Sequence, residues 1–152
     1  MKDREPNFFR NLRSEFSVLR PWIDRVVVLG YAVLAGLFVV AFTMLSEHAF
    51  EWFKHFHAQF PWMVLIWTPA LTALIVACTR QFFPGAAGSG IPQVIAALEP
   101  EVKPEERSAF VSLKITFGKM LLGAASLLAG LSAGREGPSV QVAAGVMHDA
   151  RR

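Results

Sequence analysis

The sequence predicts an all-α, polytopic membrane protein built from long tilted helices and short re-entrant helices. Of its 152 residues, 53% are hydrophobic, and the mean hydropathy of +0.40 is high for a soluble domain of this size. The apolar residues form long runs of few charges, close to the ~20 residues that cross ~30 Å of hydrocarbon. One further apolar segment, 91–98, is too short to cross and too apolar for a loop. We therefore expect long and short helices in one bilayer.

Residues 1–25 are predicted to form an amphipathic helix on the cytoplasmic membrane surface. The segment carries six basic residues, and apolar residues recur between them at roughly helical spacing. These apolar residues are Phe8, Phe9, Leu12, Phe16 and Leu19. A solvated tail with scattered apolar residues is the alternative interpretation. Because most of the net charge of +3 comes from this segment, no nucleic-acid partner is expected.

Three long apolar runs, 26–45, 61–79 and 108–133, are predicted to cross the membrane. The basic residues before the first run outnumber the single lysine in the connection 46–60. This difference predicts a cytoplasmic N-terminus and an external connection. The connection also holds His48, His55 and His57. Without cysteines or a fixed ligand spacing, these histidines indicate a solvated loop rather than a metal site.

The third run contains two lysines, and charges inside a span usually reach the interface, a partner or a cavity. Lys114 lies near the predicted inner end and is expected to snorkel to the interface. Lys119 lies deeper and is expected to face an aqueous vestibule. Many small residues in this run favour close helix packing. The charged, proline-containing stretch 99–107 before it predicts a surface turn.

Two short motifs, Gly88-Ser89-Gly90-Ile91-Pro92 and Gly134-Arg135-Glu136-Gly137-Pro138, lie where one apolar segment ends and another begins. Glycine permits a sharp turn and a close approach, and proline costs little in the first turn of a helix. Each motif therefore predicts a turn followed by a helix N-terminus, with the second helix running from about 138 to 147. The unpaired N–H groups and the dipole of such a helix start attract an anion.

If the two helix starts lie side by side, they offer a hydroxyl and several backbone N–H groups to one anion. The predicted anion-binding residues are Ser89, Gly90, Ile91, Arg135, Glu136 and Gly137. Such donors can hold a halide and still release it. The Glu136 carboxylate would compete for the same donors, and its protonation would end that competition, so Glu136 is the predicted gate and proton carrier. The alternative is plain helix capping by Ser89 and Glu136.

With both motifs in this order and at this separation, the chain resembles the CLC family of chloride channels and chloride/proton antiporters. The resemblance covers nearly all of the chain from Val26 on, but only the first part of a family member, roughly its first six helices. It therefore implies an incomplete transmembrane domain over 26–152. It also implies a multi-pass protein of the bacterial inner membrane that forms homodimers with one pore per subunit. No cofactor is implied, and chloride and protons are the ions expected to be transported.

The same resemblance implies roles for individual residues. The Ser89 hydroxyl would contact chloride, N–H groups around Glu136 would line the outer site, and Glu136 would be the gating glutamate that carries the proton in antiporters. Pro138 favours the chloride-handling branch over the fluoride exporters. Gln93 departs from the family, in which many members have glutamate. The family's pore tyrosine and inner proton glutamate would follow Arg152, so a voltage-gated channel and an antiporter both stay open, and this chain alone is not expected to conduct.

Two other functions remain open from the sequence. One is an intramembrane serine hydrolase of the rhomboid type, an enzyme with Ser89 as nucleophile and His148 as base. The other is a membrane subunit that transports nothing, in which the motifs only pack helices. The resemblance favours a transporter that is not an enzyme.

Overall fold

The computed structural model describes residues 8–99, 102 and 104–149, with side chains except at 8–21 and 104–106. The helices are α1 (Phe8–Gln59), α2 (Val64–Phe82), α3 (Ile91–Leu98), α4 (Pro104–Phe110), α5 (Leu113–Leu128) and α6 (Glu136–Asp149). A single 3₁₀ turn, Pro84–Ala86, lies between α2 and α3. No strand occurs among these described residues, so the predicted all-α class is confirmed.

The first helix is longer than the sequence predicted. The stretch 46–60, predicted as a polar external connection, is helical as far as Gln59. Residues 46–59 contain no glycine or proline, so nothing in this stretch interrupts the helical hydrogen bonds, whereas Pro61 disfavours helix at the residue before it. The three histidines of this stretch therefore lie on a helix and not in a loop. In the described residues, no three His, Cys, Asp or Glu side chains group as a metal site.

Three described stretches are long and apolar enough to cross a membrane: Trp22–Gln59, Val64–Phe82 and Arg107–Leu128. They overlap the three predicted spans. The first has 38 residues. At ~1.5 Å per residue it is about 57 Å long and extends well beyond the hydrocarbon core. The protein is a multi-pass integral membrane protein. The amphipathic character predicted for 1–25 lies mostly outside the described side chains.

The region before the third span also differs from the prediction. Residues 104–107, predicted as part of a surface turn, begin the short helix α4. Helix α4 ends at Phe110, and α5 begins at Leu113. Ser112 is the N-cap of α5, and its hydroxyl accepts a hydrogen bond from the N–H of Ile115 at 3.4 Å. A serine N-cap supplies a partner that the first turn of a helix otherwise lacks.

The core lies where α1, α5 and α6 meet. Phe42 of α1 packs with Met120 of α5 and Val142 of α6, and all three side chains are buried. The small residues predicted to favour close packing do so on α5, where the ring of Phe42 lies against Gly123. This contact brings α1 close to the helix that precedes the second motif.

Two side chains of α2 hold the end of α5. The indole N–H of Trp67 donates to the carbonyl of Leu128 at 3.0 Å, and the Thr68 hydroxyl donates to that of Ala129 at 2.7 Å. The last carbonyls of a helix have no partner within it, so these bonds satisfy them. They also fix the point from which the chain enters the second motif.

Candidate functional site

Both motifs form helix starts, as predicted. In the first, Gly88 and Gly90 have φ of 74° and 101°, in the left-handed region that glycine adopts without strain. Gly90 is the N-cap of α3, and Pro92 lies in its first turn. The predicted bounds of this helix, 91–98, are confirmed. In the second motif α6 begins at Glu136, two residues before the predicted start.

The two helix starts are in direct backbone contact. A Cβ atom added at Gly137 would overlap the carbonyl oxygen of Ser89 and lie 3.3 Å from the Ser89 Cβ. A Cβ atom added at Gly90 would lie 2.9 Å from the carbonyl oxygen of Gly137. Only glycine permits this approach at both positions, so the glycines bring the positive ends of α3 and α6 together.

A cavity of 710 Å³ lies at this junction. Five of the six predicted anion-binding residues line it: Ser89, Ile91, Arg135, Glu136 and Gly137. The sixth, Gly90, is buried behind them. Both motifs therefore line one cavity, whereas binding of an anion there stays a prediction.

Lys119 lines the same cavity from α5, as expected, yet its side chain is 4% exposed. Its ammonium donates to the carbonyls of Ala86 at 2.9 Å and Gly88 at 2.5 Å. In the described part of the chain, the ion pairs are those of Lys54 and Arg135, so no described carboxylate pairs with Lys119. The buried positive charge is therefore stabilised by backbone dipoles beside the cavity.

Gln141 is a residue that sequence reasoning missed. Its side chain is 1% exposed, and its amide donates to the carbonyls of Gly85 at 2.8 Å and Phe110 at 2.9 Å. These bonds tie α6 to the loop before the first motif and to the end of α4. Since Gln141 follows Gly137 by four residues, it lies on the same helix face. The sequence did contain a signal for this residue, because Gln141 is a polar amide in an apolar helix and lies on the helix face that carries Gly137.

Comparison with known proteins identifies the family of the chain. The family model for voltage gated chloride channels matches residues 71–152, which include both motifs. The chain belongs to the CLC family. It is 36% identical over 118 residues to the H(+)/Cl(-) exchange transporter ClcA of Cronobacter sakazakii, covering 72% of this chain and 24% of that relative.

A second CLC relative is a eukaryotic protein. Over 144 residues the chain is 29% identical to the chloride channel protein clh-3 of Caenorhabditis elegans, covering 89% of this chain and 14% of that relative. The chain thus spans about a quarter or less of the length of these relatives. No solved structure matches the chain.

The serine hydrolase alternative conflicts with the positions of Ser89 and His148 in the structure. His148, its predicted base, lies near the end of α6, whereas Gly137 at the start of α6 contacts Ser89. Eleven residues of helix separate Gly137 from His148, or about 16 Å. A nucleophile and its base must lie within ~3 Å, so Ser89 and His148 do not form such a pair.

The CLC motif that contains Arg135 is also linked to α1. The guanidinium of Arg135 lies 3.2 Å from the carboxylate of Glu47, and both side chains are exposed. One guanidinium nitrogen of Arg135 is therefore engaged by α1, although Arg135 also lines the cavity.

We expect this ion pair to contribute little to stability. In a double-mutant cycle of Glu47→Gln and Arg135→Gln, the coupling in the free energy of unfolding should be below about 1 kcal/mol, because water and salt screen exposed charges. Unfolding of the two single variants and the double variant, at low and high salt, measures it. A coupling above about 2 kcal/mol that persists in high salt would contradict this expectation.

Proposed function

We propose that this chain forms part of a CLC-type chloride pathway, in which chloride binds where α3 and α6 begin. The observation that carries the proposal is the shared cavity. Ser89 and Glu136 belong to helix starts that are far apart in the sequence, and both residues line this one cavity. The positive ends of two helix dipoles and the buried ammonium of Lys119 all favour a negative ligand there.

The proposed contacts come from five residues of the cavity wall and from Gly90, which is buried next to them. The Ser89 hydroxyl donates to chloride, and backbone N–H groups at Gly90, Ile91, Arg135, Glu136 and Gly137 provide the remaining donors. The first N–H groups of a helix have no partner within it. Neutral donors of this kind bind a halide firmly enough to select it and weakly enough to let it leave.

Glu136 is the proposed gate. It is the first residue of α6, is exposed and lines the cavity. As an anion at a helix start, its carboxylate is attracted by the same N–H groups that would hold chloride. Protonation removes its charge, so chloride then binds without a competitor. A carboxylate that gains and loses a proton in this way would also carry protons in an exchanger.

We propose chloride passage through this pathway. A relative named as an exchanger and one named as a channel both match the chain, so proton flux measured beside chloride flux decides whether the two are coupled. For the protein as its gene encodes it, we further propose a homodimer in a bacterial inner membrane with the N-terminus in the cytoplasm. The excess of basic residues before the first span supports that orientation.

Removing the Ser89 hydroxyl tests the site. In Ser89→Ala we expect the Kd for chloride to rise about tenfold, since one hydrogen bond to an anion is lost. Calorimetric titration of chloride and chloride efflux from proteoliposomes measure the change. The control is Thr72→Val, which removes a hydroxyl that donates to the carbonyl of Thr68 on α2. A chain whose motifs only pack helices would bind no chloride, and Ser89→Ala would then change stability alone.

A further inference from the structure

The loop of residues 85–88, which ends at the first glycine of the first motif, has all four of its backbone carbonyls occupied by side chains from outside the loop. Gln141 of α6 donates to the carbonyl of Gly85, and Gln93 of α3 donates to that of Ala87. Lys119 of α5 donates to the carbonyls of Ala86 and Gly88. Three helices thus each supply one side chain to this loop.

A run of unpaired carbonyls beside an anion cavity would oppose anion binding. Carbonyl oxygens are the negative ends of peptide dipoles, and rings of carbonyls select cations in channels. Irregular backbone within a membrane must also find partners for these groups. A hydrogen-bond donor on each carbonyl solves both problems, because the oxygen then has a partner and is no longer an unpaired acceptor beside the anion.

Fixing a carbonyl also fixes the next N–H group. The peptide unit is planar and trans, so the C=O of one residue and the N–H of the next point in opposite directions. The bonds to Ala87 and Gly88 therefore direct the N–H groups of Gly88 and Ser89 away from Gln93 and Lys119. Gly88 and Ser89 both line the cavity. The N–H groups of Ala86 and Ala87 are occupied within the 3₁₀ turn.

We propose that Gln93, Lys119 and Gln141 are positioning residues that keep the carbonyls of 85–88 hydrogen-bonded to the protein, so that the cavity offers N–H groups rather than carbonyl oxygens to the bound ion and selects anions over cations. The inference rests on the proposed function and adds the residues that determine its selectivity. The amide oxygens of Gln93 and Gln141 have no hydrogen-bond partner among the described residues, so the donor end of each amide is the end that the fold uses.

Gln141 separates this role from a simple effect of charge. Lys119 would attract anions through its positive charge even if its hydrogen bonds had no part in selectivity. Gln141 is neutral, contacts the same loop and does not line the cavity. A loss of anion selectivity in a Gln141 variant is therefore not an effect of charge.

The experiment compares variants of the protein as its gene encodes it, purified and reconstituted into lipid. Gln141→Met and Lys119→Met keep the approximate size and remove the donors. Their controls are Gln81→Met, an exposed amide on α2, and Lys114→Met, an exposed cation on α5 whose ammonium lies 6.0 Å from the Phe83 ring. Calorimetric titration gives the Kd for chloride, and the reversal potential in a potassium chloride gradient gives anion-over-cation selectivity.

We expect Gln141→Met and Lys119→Met each to raise the Kd for chloride about tenfold. The reversal potential should move toward that of potassium, and both controls should stay within about twofold of the parent protein. Lys119→Arg keeps the charge and the donors, so it should recover most of the affinity. Poor packing alone would lower stability without moving the reversal potential.

If the parent protein binds chloride and depends on Ser89, but Gln141→Met matches Gln81→Met, the positioning role is wrong and the proposed function stands. An effect of Lys119→Met without one of Gln141→Met assigns the selectivity to charge alone and also overturns the inference. No chloride binding by the parent protein overturns both proposals. If Gln141→Met does not fold, Gln93→Met takes its place in the comparison. It removes the third donor, which is half-buried, and the same outcomes then confirm or overturn the inference.

Discussion

Gly137→Ala is expected to abolish chloride binding and to destabilise the fold by about 1–3 kcal/mol or more. The added methyl group would overlap the carbonyl oxygen of Ser89, which belongs to the backbone and has no rotamer to move into. The start of α6 would have to separate from that of α3, and the two sets of N–H groups would no longer face one ion. Thermal unfolding and calorimetric titration of chloride measure the two effects.

Gly36→Ala is the matched control for this substitution. Gly36 lies within α1, and a Cβ atom there would have no described atom within 4 Å. Alanine is also favoured over glycine inside a helix by about 1 kcal/mol, so this variant should be slightly more stable than the parent and should bind chloride normally. If Gly137→Ala bound chloride as well as Gly36→Ala does, contact between the helix starts would not be needed for the site.

Glu136→Gln is expected to remove the pH dependence of chloride binding and to stop any proton movement coupled to chloride. On the proposed mechanism, protonation of the Glu136 carboxylate removes the competitor of chloride, so the chloride affinity of the parent protein should rise as pH falls. Glutamine is neutral at every pH, and the variant should therefore hold chloride with one high affinity throughout. Chloride titration across a pH series, with proton flux recorded in proteoliposomes, measures both properties.

The control for Glu136→Gln is Glu51→Gln, which neutralises an exposed carboxylate of α1 that pairs with Lys54 at 3.3 Å. This variant should keep the parent's pH profile, because its carboxylate lies outside the cavity. A Glu136→Gln protein whose affinity changed with pH as in Glu51→Gln would exclude Glu136 as the gate, although chloride binding at the two helix starts would be unaffected by that result.

Several features of the fold could be predicted because their causes are local. Gly90 and Pro92 mark the start of α3, and the apolar run ends at Leu98, so the bounds of this helix follow from adjacent residues. The three spans follow from hydropathy in the same way. The error at 46–60 has a local cause as well, because polar composition was interpreted as a loop although no residue there interrupts a helix.

The roles of Lys119 and Gln141 could not be predicted in this way. Lys119 bonds to carbonyls 31 and 33 residues earlier in the chain, and Gln141 to one 56 residues earlier. Hydropathy identified Lys119 as an exception within an apolar run, but periodicity does not show what lies opposite a side chain. Gln141 gave a weaker signal, since an amide carries no charge.

The sequence by itself determined the class of the protein, the position of its spans and the two glycine-proline helix starts, because hydropathy, helix breaking and backbone freedom depend on neighbouring residues. Only the tertiary structure decided that Gly90 and Gly137 meet, that both motifs line one cavity, and that Gln93, Lys119 and Gln141 occupy the carbonyls beside it. These features depend on contacts between helices far apart in the chain, and the packing of α1, α5 and α6 sets those distances.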